Sequence, residues 1–154
     1  MSLPLTVLAP VSGRVLTMAQ VPDPVFAESM VGPGLAIDPD SDTGAAVAVA
    51  PVAGKILKLH PHAYVIVCES GRGVLVHLGI DTVQLKGKGF RLIASEGDEV
   101  GAGAPVVEWD PGVIAAGGRS PVCPVVALDG NAGDVRALAG DGHVDSGAEL
   151  YAWE

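Results

Sequence analysis

Cysteine is nearly missing from this chain: Cys68 and Cys123 are the only two in 154 residues. They stand far apart and form no C-x-x-C pair. No disulfide framework or thiolate metal knuckle is encoded, and the expected setting is a reduced, cytoplasmic one with two structural thiols. Aromatic residues are equally scarce at 4%, so a core has to be built from Val, Ala, Leu and Ile. The β-branched members of that set favour sheets. Cations are few: nine Lys and Arg stand against eighteen Asp and Glu, a formal net charge of −9. That balance argues against nucleic acid as a partner, because phosphates need a basic footprint. It also argues against a polybasic membrane anchor. No apolar run has the length that spans a bilayer, so no direct membrane insertion is expected. The opening MSLPLTVLAPVSG lacks a basic n-region and is interrupted by Pro4, Pro10 and Gly13. It is expected to form a strand, not a signal peptide. There is no G-x-x-x-x-G-K-[ST] loop, so ATP is not the expected phosphate donor. G-x-S-x-G and H-E-x-x-H are absent too.

What the chain has in quantity is short apolar runs punctuated by turns. Hydrophobic residues make up 49%, with 21 Gly and 12 Pro spread among them. Strands are expected over 3–10, 14–18, 35–38, 47–51, 62–68, 74–77, 90–94, 105–109, 121–128, 134–139 and 149–153. The prolines of 121–128 suit an edge strand. Phe26–Met30 suggests one helical turn and Asp110–Gly117 a short helix, with exposed tips at Pro39–Gly44 and around His143. Many short strands with regular turns predict an all-β sandwich or barrel, and 154 residues favour a single domain over 1–154. An internal duplication of a strand-turn-strand unit is also expected. Ala9-Pro10-Val11-Ser12-Gly13-Arg14-Val15-Leu16 matches Ala50-Pro51-Val52-Ala53-Gly54-Lys55-Ile56-Leu57, 41 residues later. A weaker echo relates Val100, Gly103 and Trp109 to Val144, Gly147 and Trp153.

The chemistry concentrates in Gly71–Phe90, GRGVLVHLGIDTVQLKGKGF. The run Val74-Leu75-Val76 delivers His77, and fifteen residues upstream His62 opens a second run, HAYVIVC. If the two runs form a hairpin, its turn sets the pairing. A turn centred on Glu69-Ser70 places His62 opposite His77. One centred on Gly71-Arg72 places His62 opposite Asp81 and His77 opposite Ile66. Both registers keep the two imidazoles on one face, whereas a slip of one residue would part them. Neutral imidazole, with an ordinary pKa of roughly 6.5, is a competent nucleophile at physiological pH. His60-Pro61-His62 together with His77 can also be read as zinc ligands, with Asp81 or water as a fourth.

Gly71-x-x-Val74-Leu75-Val76-His77-Leu78-Gly79-Ile80-Asp81-Thr82-Val83 resembles the phosphoacceptor signature of the glucose-family IIA component of the bacterial phosphoenolpyruvate:sugar phosphotransferase system. Ordered matches run along nearly the whole chain: Ala9-Pro10-x-Ser12-Gly13, Val21-Pro22-Asp23-x-Val25-Phe26-Ala27-Glu28, Gly32-x-Gly34-x-Ala36-Ile37, Val49-Ala50-Pro51-Val52-x-Gly54, Leu85-Lys86-Gly87-x-Gly89-Phe90 and Glu96-Gly97-Asp98-x-Val100. The resemblance implies an antiparallel sandwich and a cytoplasmic phosphocarrier without a cofactor. It implies that His77 takes a phosphoryl group from phosphorylated HPr and hands it to the IIB domain of a glucose-type or N-acetylglucosamine-type permease. His62 is then the donor of a hydrogen bond to the phosphoryl oxygens. Gly79 leaves room for a partner, and Asp81 meets a cation that the partner brings. Val25, Phe26, Leu78, Ile80 and Val83 form an apolar docking collar. The reacting ring nitrogen stays open, as does the choice between His62 and His60 for the supporting role. Two other readings stand beside this one: a regulatory module that binds targets according to its phosphorylation, and a zinc-dependent hydrolase or an incidental zinc at His62 and His77.

Overall fold

The computed structural model describes residues 4–41, 44–140 and 142–154. Asp42 and Thr43 of the expected Pro39–Gly44 tip, Asp141 of the tip before His143, and Leu3, the first residue of the expected opening strand, lie outside this set. In chain order the elements are β1 (Leu5–Leu8), β2 (Gly13–Thr17), α1 (Pro24–Ala27), β3 (Gly34–Pro39), β4 (Ala46–Val49), β5 (Gly54–His60), β6 (Ala63–Val67) and β7 (Gly73–His77). They continue with β8 (Phe90–Leu92), β9 (Glu99–Val100), β10 (Pro105–Trp109), α2 (Pro111–Ala116), β11 (Cys123–Ala127), β12 (Val135–Ala137), β13 (His143–Val144) and β14 (Glu149–Trp153). Short 3-10 turns cover Met18–Gln20, Thr82–Leu85 and Ala132–Asp134. Among the described residues no helix is long and apolar enough to cross a membrane.

The arrangement is all-β and sandwich-like. Eight strands form one sheet in the order β13-β2-β3-β11-β7-β6-β5-β9, flanked by three-stranded sheets β1-β14-β12 and β4-β10-β8. Every pairing is antiparallel. The sheets do not close into a barrel: β13 and β9 end the large one. The two A-P-x-x-G loops make matching bonds. Leu8 N–H donates to the Pro51 carbonyl and Val49 N–H to the Pro10 carbonyl, at 2.8 and 2.9 Å.

The middle of the large sheet is buried on both faces. Alternation along β11 sends Val125 into the main core with Ile37, Val76 and Trp109, and Val126 into a second cluster with Ala36, Met18, Phe26 and Ile80. All five residues of β11 are therefore buried, including Pro124. The prolines of this run were expected at an edge. Instead Pro124 sits in a central strand, tolerated because it pairs only with Ala36 of β3. The ladder to β7 starts at Val125↔Val76. Continued by one step it would set Pro124, which has no N–H, opposite His77. The ladder stops there, and the chain is free to turn away after His77.

The helical turn expected at Phe26–Met30 lies earlier. Asp23 caps it by accepting from Val25 N–H at 2.9 Å, and Pro24 takes the first helical position, where its missing N–H costs nothing. Tyr64, fully buried in β6, ties the large sheet to β4 by donating its hydroxyl to the Val49 carbonyl at 2.7 Å. Pro105, opposite Val49, has no N–H to offer that oxygen. Tyr64→Phe strands a buried acceptor and should lower stability by about 1–3 kcal/mol. Equilibrium denaturation measures this, and an unchanged midpoint would show that water or another donor satisfies Val49.

Candidate active site

The strands β6 and β7 do form the expected hairpin, but in neither expected register. Ala63 stands opposite His77, one residue off the His62–His77 pairing. Strict alternation in that register would send the two imidazoles to opposite faces. They meet nonetheless, with ring centroids 5.3 Å apart in an edge-on arrangement. The reason is that His62 is not in a strand. His60 pairs with Ala63 across the β5–β6 hairpin, so Pro61 and His62 form its two-residue turn. A turn residue is released from the two-face rule of the strand. The main chain fixes the approach, since Leu78 N–H donates to the His62 carbonyl at 2.7 Å.

His77 ends β7, and the loop after the strand holds its ring. Its Nδ1 lies 2.5 Å from the Gly79 carbonyl oxygen. A carbonyl can only accept, so the proton sits on Nδ1 and the lone pair on Nε2. Gly79 has φ +86°, and a Cβ there would stand 2.7 Å from Thr82 Cγ2 and 3.0 Å from the Ser120 carbonyl. Glycine is thus required to aim that carbonyl back at the ring. Gly79 is buried. Its role is in building the site, a correction to its reading as clear space for a partner. Thr82, the buried polar residue of the core, closes the loop by donating its hydroxyl to the Leu78 carbonyl at 2.8 Å.

The expected collar divides. Phe26 packs on the His77 ring, centroids 5.3 Å apart, but is nearly buried. Leu78 is fully buried in the main core and Ile80 lies in the second cluster, so neither offers a docking surface. Val25 and Val83, 42% and 58% exposed, are the collar residues that face outward. Asp81 is exposed, in a left-handed conformation (φ +60°) at the head of the Thr82–Leu85 turn, where its side chain makes no capping bond.

Burial dominates the electrostatics. It pushes His77 below its usual pKa, against the Gly79 bond and the charges of Asp23 and Asp81, which pull upward. His62 is lowered to about 4, first by burial, then by repulsion from His77 and His60. Both rings are therefore neutral at pH 7. His60 stacks on the far side of this pair, on His62, with centroids 5.7 Å apart. Zinc does not find its expected ligand set. Among the described residues no three His, Cys, Asp or Glu side chains are placed to hold a metal. His143 lies elsewhere, with Nε2 2.8 Å from Asp40.

Asp23 is the residue of the site that sequence reasoning passed over. In the sequence it is a helix cap before Pro24, and only folding brings its charge to His77.

Known proteins share this architecture. Residues 5–132 match the family model of the phosphoenolpyruvate-dependent sugar phosphotransferase system, EIIA 1. The chain belongs to this EIIA family. It superposes on the glucose permease IIA from Mycoplasma capricolum with a TM-score of 0.87 at 35% identity, covering 99% of this chain and 97% of that one. It is 39% identical over 135 residues to the N-acetylglucosamine-specific EIICBA component of Klebsiella pneumoniae, covering 86% of this chain and 20% of that protein. The corresponding Escherichia coli K12 component is 37% identical over 142 residues, 91% of this chain and 21% of that protein. The chain thus spans about a fifth of the length of these curated relatives. As an EIIA it is a phosphotransfer component of that system.

The lowered pKa values have a sign that can be checked. Unfolded histidine protonates near 6.5, folded His62 near 4. Between those values the unfolded chain binds more protons, so stability falls as pH drops through that window. NMR titration should place the His62 midpoint near 4 and that of His77 below 6.5. His62→Gln should flatten part of the loss of melting temperature between pH 6.5 and 4, and a normal His62 midpoint would refute the buried-neutral site.

Proposed function

We propose that this EIIA carries its phosphoryl group on Nε2 of His77, accepting it from phosphorylated HPr and passing it to the IIB domain of a glucose-type or N-acetylglucosamine-type permease. The observation that supports this most is the Nδ1–Gly79 bond with the His62 ring beside it. The Nε2 lone pair attacks phosphorus in line as the bond from phosphorus to the donor breaks. The ring gains positive charge, which the Gly79 carbonyl and the carboxylates of Asp23 and Asp81 favour. Onward transfer is the reverse: the N–P bond breaks toward the acceptor and His77 returns to its neutral Nδ1–H form. Phosphoryl transfer depends on positioning and charge stabilisation more than on covalent help from the protein. His62, neutral and still carrying one N–H, donates that hydrogen to the phosphoryl oxygens without adding a competing charge.

Val25, Val83 and the exposed edge around Phe26 make the apolar contact with partners, and Asp81 takes a cation from them. The burial of His77 slows loss of phosphate to water. One EIIA domain spans residues 1–154 and works in the cytoplasm. The matched bonds of the two A-P-x-x-G loops support its origin from a repeated strand-turn-strand unit.

The test is intact mass after incubation with phosphoenolpyruvate, enzyme I and HPr. The wild type should gain one phosphate, acid-labile and base-stable, and His77→Ala none. His62→Ala should still accept but transfer about 100-fold more slowly, the usual cost of removing one transition-state donor. Phosphate persisting in His77→Ala would sink the acceptor assignment, and an undiminished rate in His62→Ala would remove His62 from the chemistry.

A further inference from the structure

Arg119 has no place in the His77 relay, and it is distinguished by a side-chain N–H that is buried without an acceptor. Arg91 pairs with Glu108 and Arg136 with Glu154. Arg119 has no carboxylate within ion-pair distance among the described residues. Its one side-chain bond runs from Nη2 to the neutral Gln84 Oε1 at 3.2 Å, and its buried Nε–H has no acceptor. Of the five N–H donors of a guanidinium, most are thus unused. A buried donor without an acceptor is unfavourable in a finished fold, and a ligand or a water is one way to satisfy it.

The local chain holds Arg119 in place. Gly118, with φ +89°, turns the chain after α2, and Arg119 N–H donates to the Ile114 carbonyl at 3.2 Å. The next residue joins the acceptor loop, since Ile80 N–H donates to the Ser120 carbonyl at 2.8 Å. Together Pro22, Ile80, Asp81, Gln84, Arg119 and Ser120 line an open groove of about 470 Å³. Its walls come from the segment just before Asp23 and the segment just after His77. It therefore carries an unpaired cation and an exposed, uncapped carboxylate, Asp81, that do not neutralise each other.

We infer that Arg119 is a docking residue, seating a carboxylate side chain of the phosphocarrier protein that approaches His77 while Asp81 seats a cation of the same partner. The inference rests on the proposed His77 relay. A protein that brings a phosphoryl group to His77 covers ground next to this groove. The separated charges fit a surface carrying both signs, and they reject one that is uniformly acidic or basic. Arg119 does not touch the reacting atoms, so it affects how tightly the partner binds and not the rate once bound.

Arg119→Gln keeps a hydrogen-bonding partner for Gln84 and removes the charge. Arg119→Met, which keeps the packing of the stem, is its companion should the first variant melt early. With phosphorylated HPr as donor, both should raise KM by roughly fivefold or more with kcat unchanged, and Arg119→Lys should recover part of the loss. Added salt should raise the wild-type KM more than that of Arg119→Gln. An unchanged KM in folded variants that still relay phosphate would overturn this inference alone. A loss confined to kcat would also overturn it. Inorganic phosphate shifting the Arg119 Nε–H resonance, with KM unaffected by the variants, would mean a free-anion seat and not a protein contact. A wild type that takes up no phosphate would bring down the relay and this inference together.

Discussion

The contact between the His77 ring and the carbonyl two residues later organises this molecule's chemistry. It decides which nitrogen holds the proton and which holds the lone pair, and it does so with main chain, which no rotamer change can disturb. Making it requires a carbonyl turned back on the preceding strand. That turn needs a positive φ at residue 79, hence glycine, and a closed loop behind it. The Thr82 hydroxyl on the Leu78 carbonyl and the Ile80 amide on the Ser120 carbonyl provide the closure. The loop can leave the sheet at His77 because the neighbouring central strand carries a proline at the next ladder step, where pairing ends.

Around that contact the protein keeps two histidines uncharged in a chain of net charge −9. Burial outweighs the nearby carboxylates at His77, and at His62 the neighbouring rings add to it. The two effects have separate uses. Desolvation leaves nucleophilic, neutral imidazoles at physiological pH. In the proposed relay the carboxylates act when the His77 ring gains charge during transfer, and their attraction is strongest in a site from which water is partly excluded. In the proposed relay a neutral His62 would also form no tight ion pair with the phosphoryl dianion, which would hold the group too firmly for a carrier.

The surface next to the site divides in the same spirit. Val25 and Val83 are exposed apolar residues, while Leu78 and Ile80, from the same stretch of chain, are buried. The Asp81 carboxylate and the Arg119 guanidinium share a groove without pairing. A relay needs partners that arrive and leave, and a small apolar contact with separated charges provides recognition without a large interface.

Much of this was legible in the amino-acid order. Scarce aromatics with abundant Val, Ala and Gly announced an all-β chain. The run from Gly71 to Val83 marked His77, and Asp110-Pro111 marked a capped helix. These are local signals, carried by residue type and spacing. The pairing of His62 with His77 was legible only as a possibility, and for the wrong reason. Strand alternation in the observed register would have parted them, and the two-residue turn at Pro61-His62 brings them together. The burial of Leu78 and Ile80, the central position of Pro124 and the arrival of Asp23 beside His77 depend on which sheet covers which face. Arg119 gave no signal at all, since an arginine after two glycines says nothing about the acceptor loop it will meet. The sequence by itself determined the strand-rich class and singled out the histidine proposed as nucleophile. Tertiary packing alone decided the tautomer, the neutral charge state and the surface a partner can reach. Each of those depends on long-range contacts and on exclusion of water, and neither is a property of neighbouring residues.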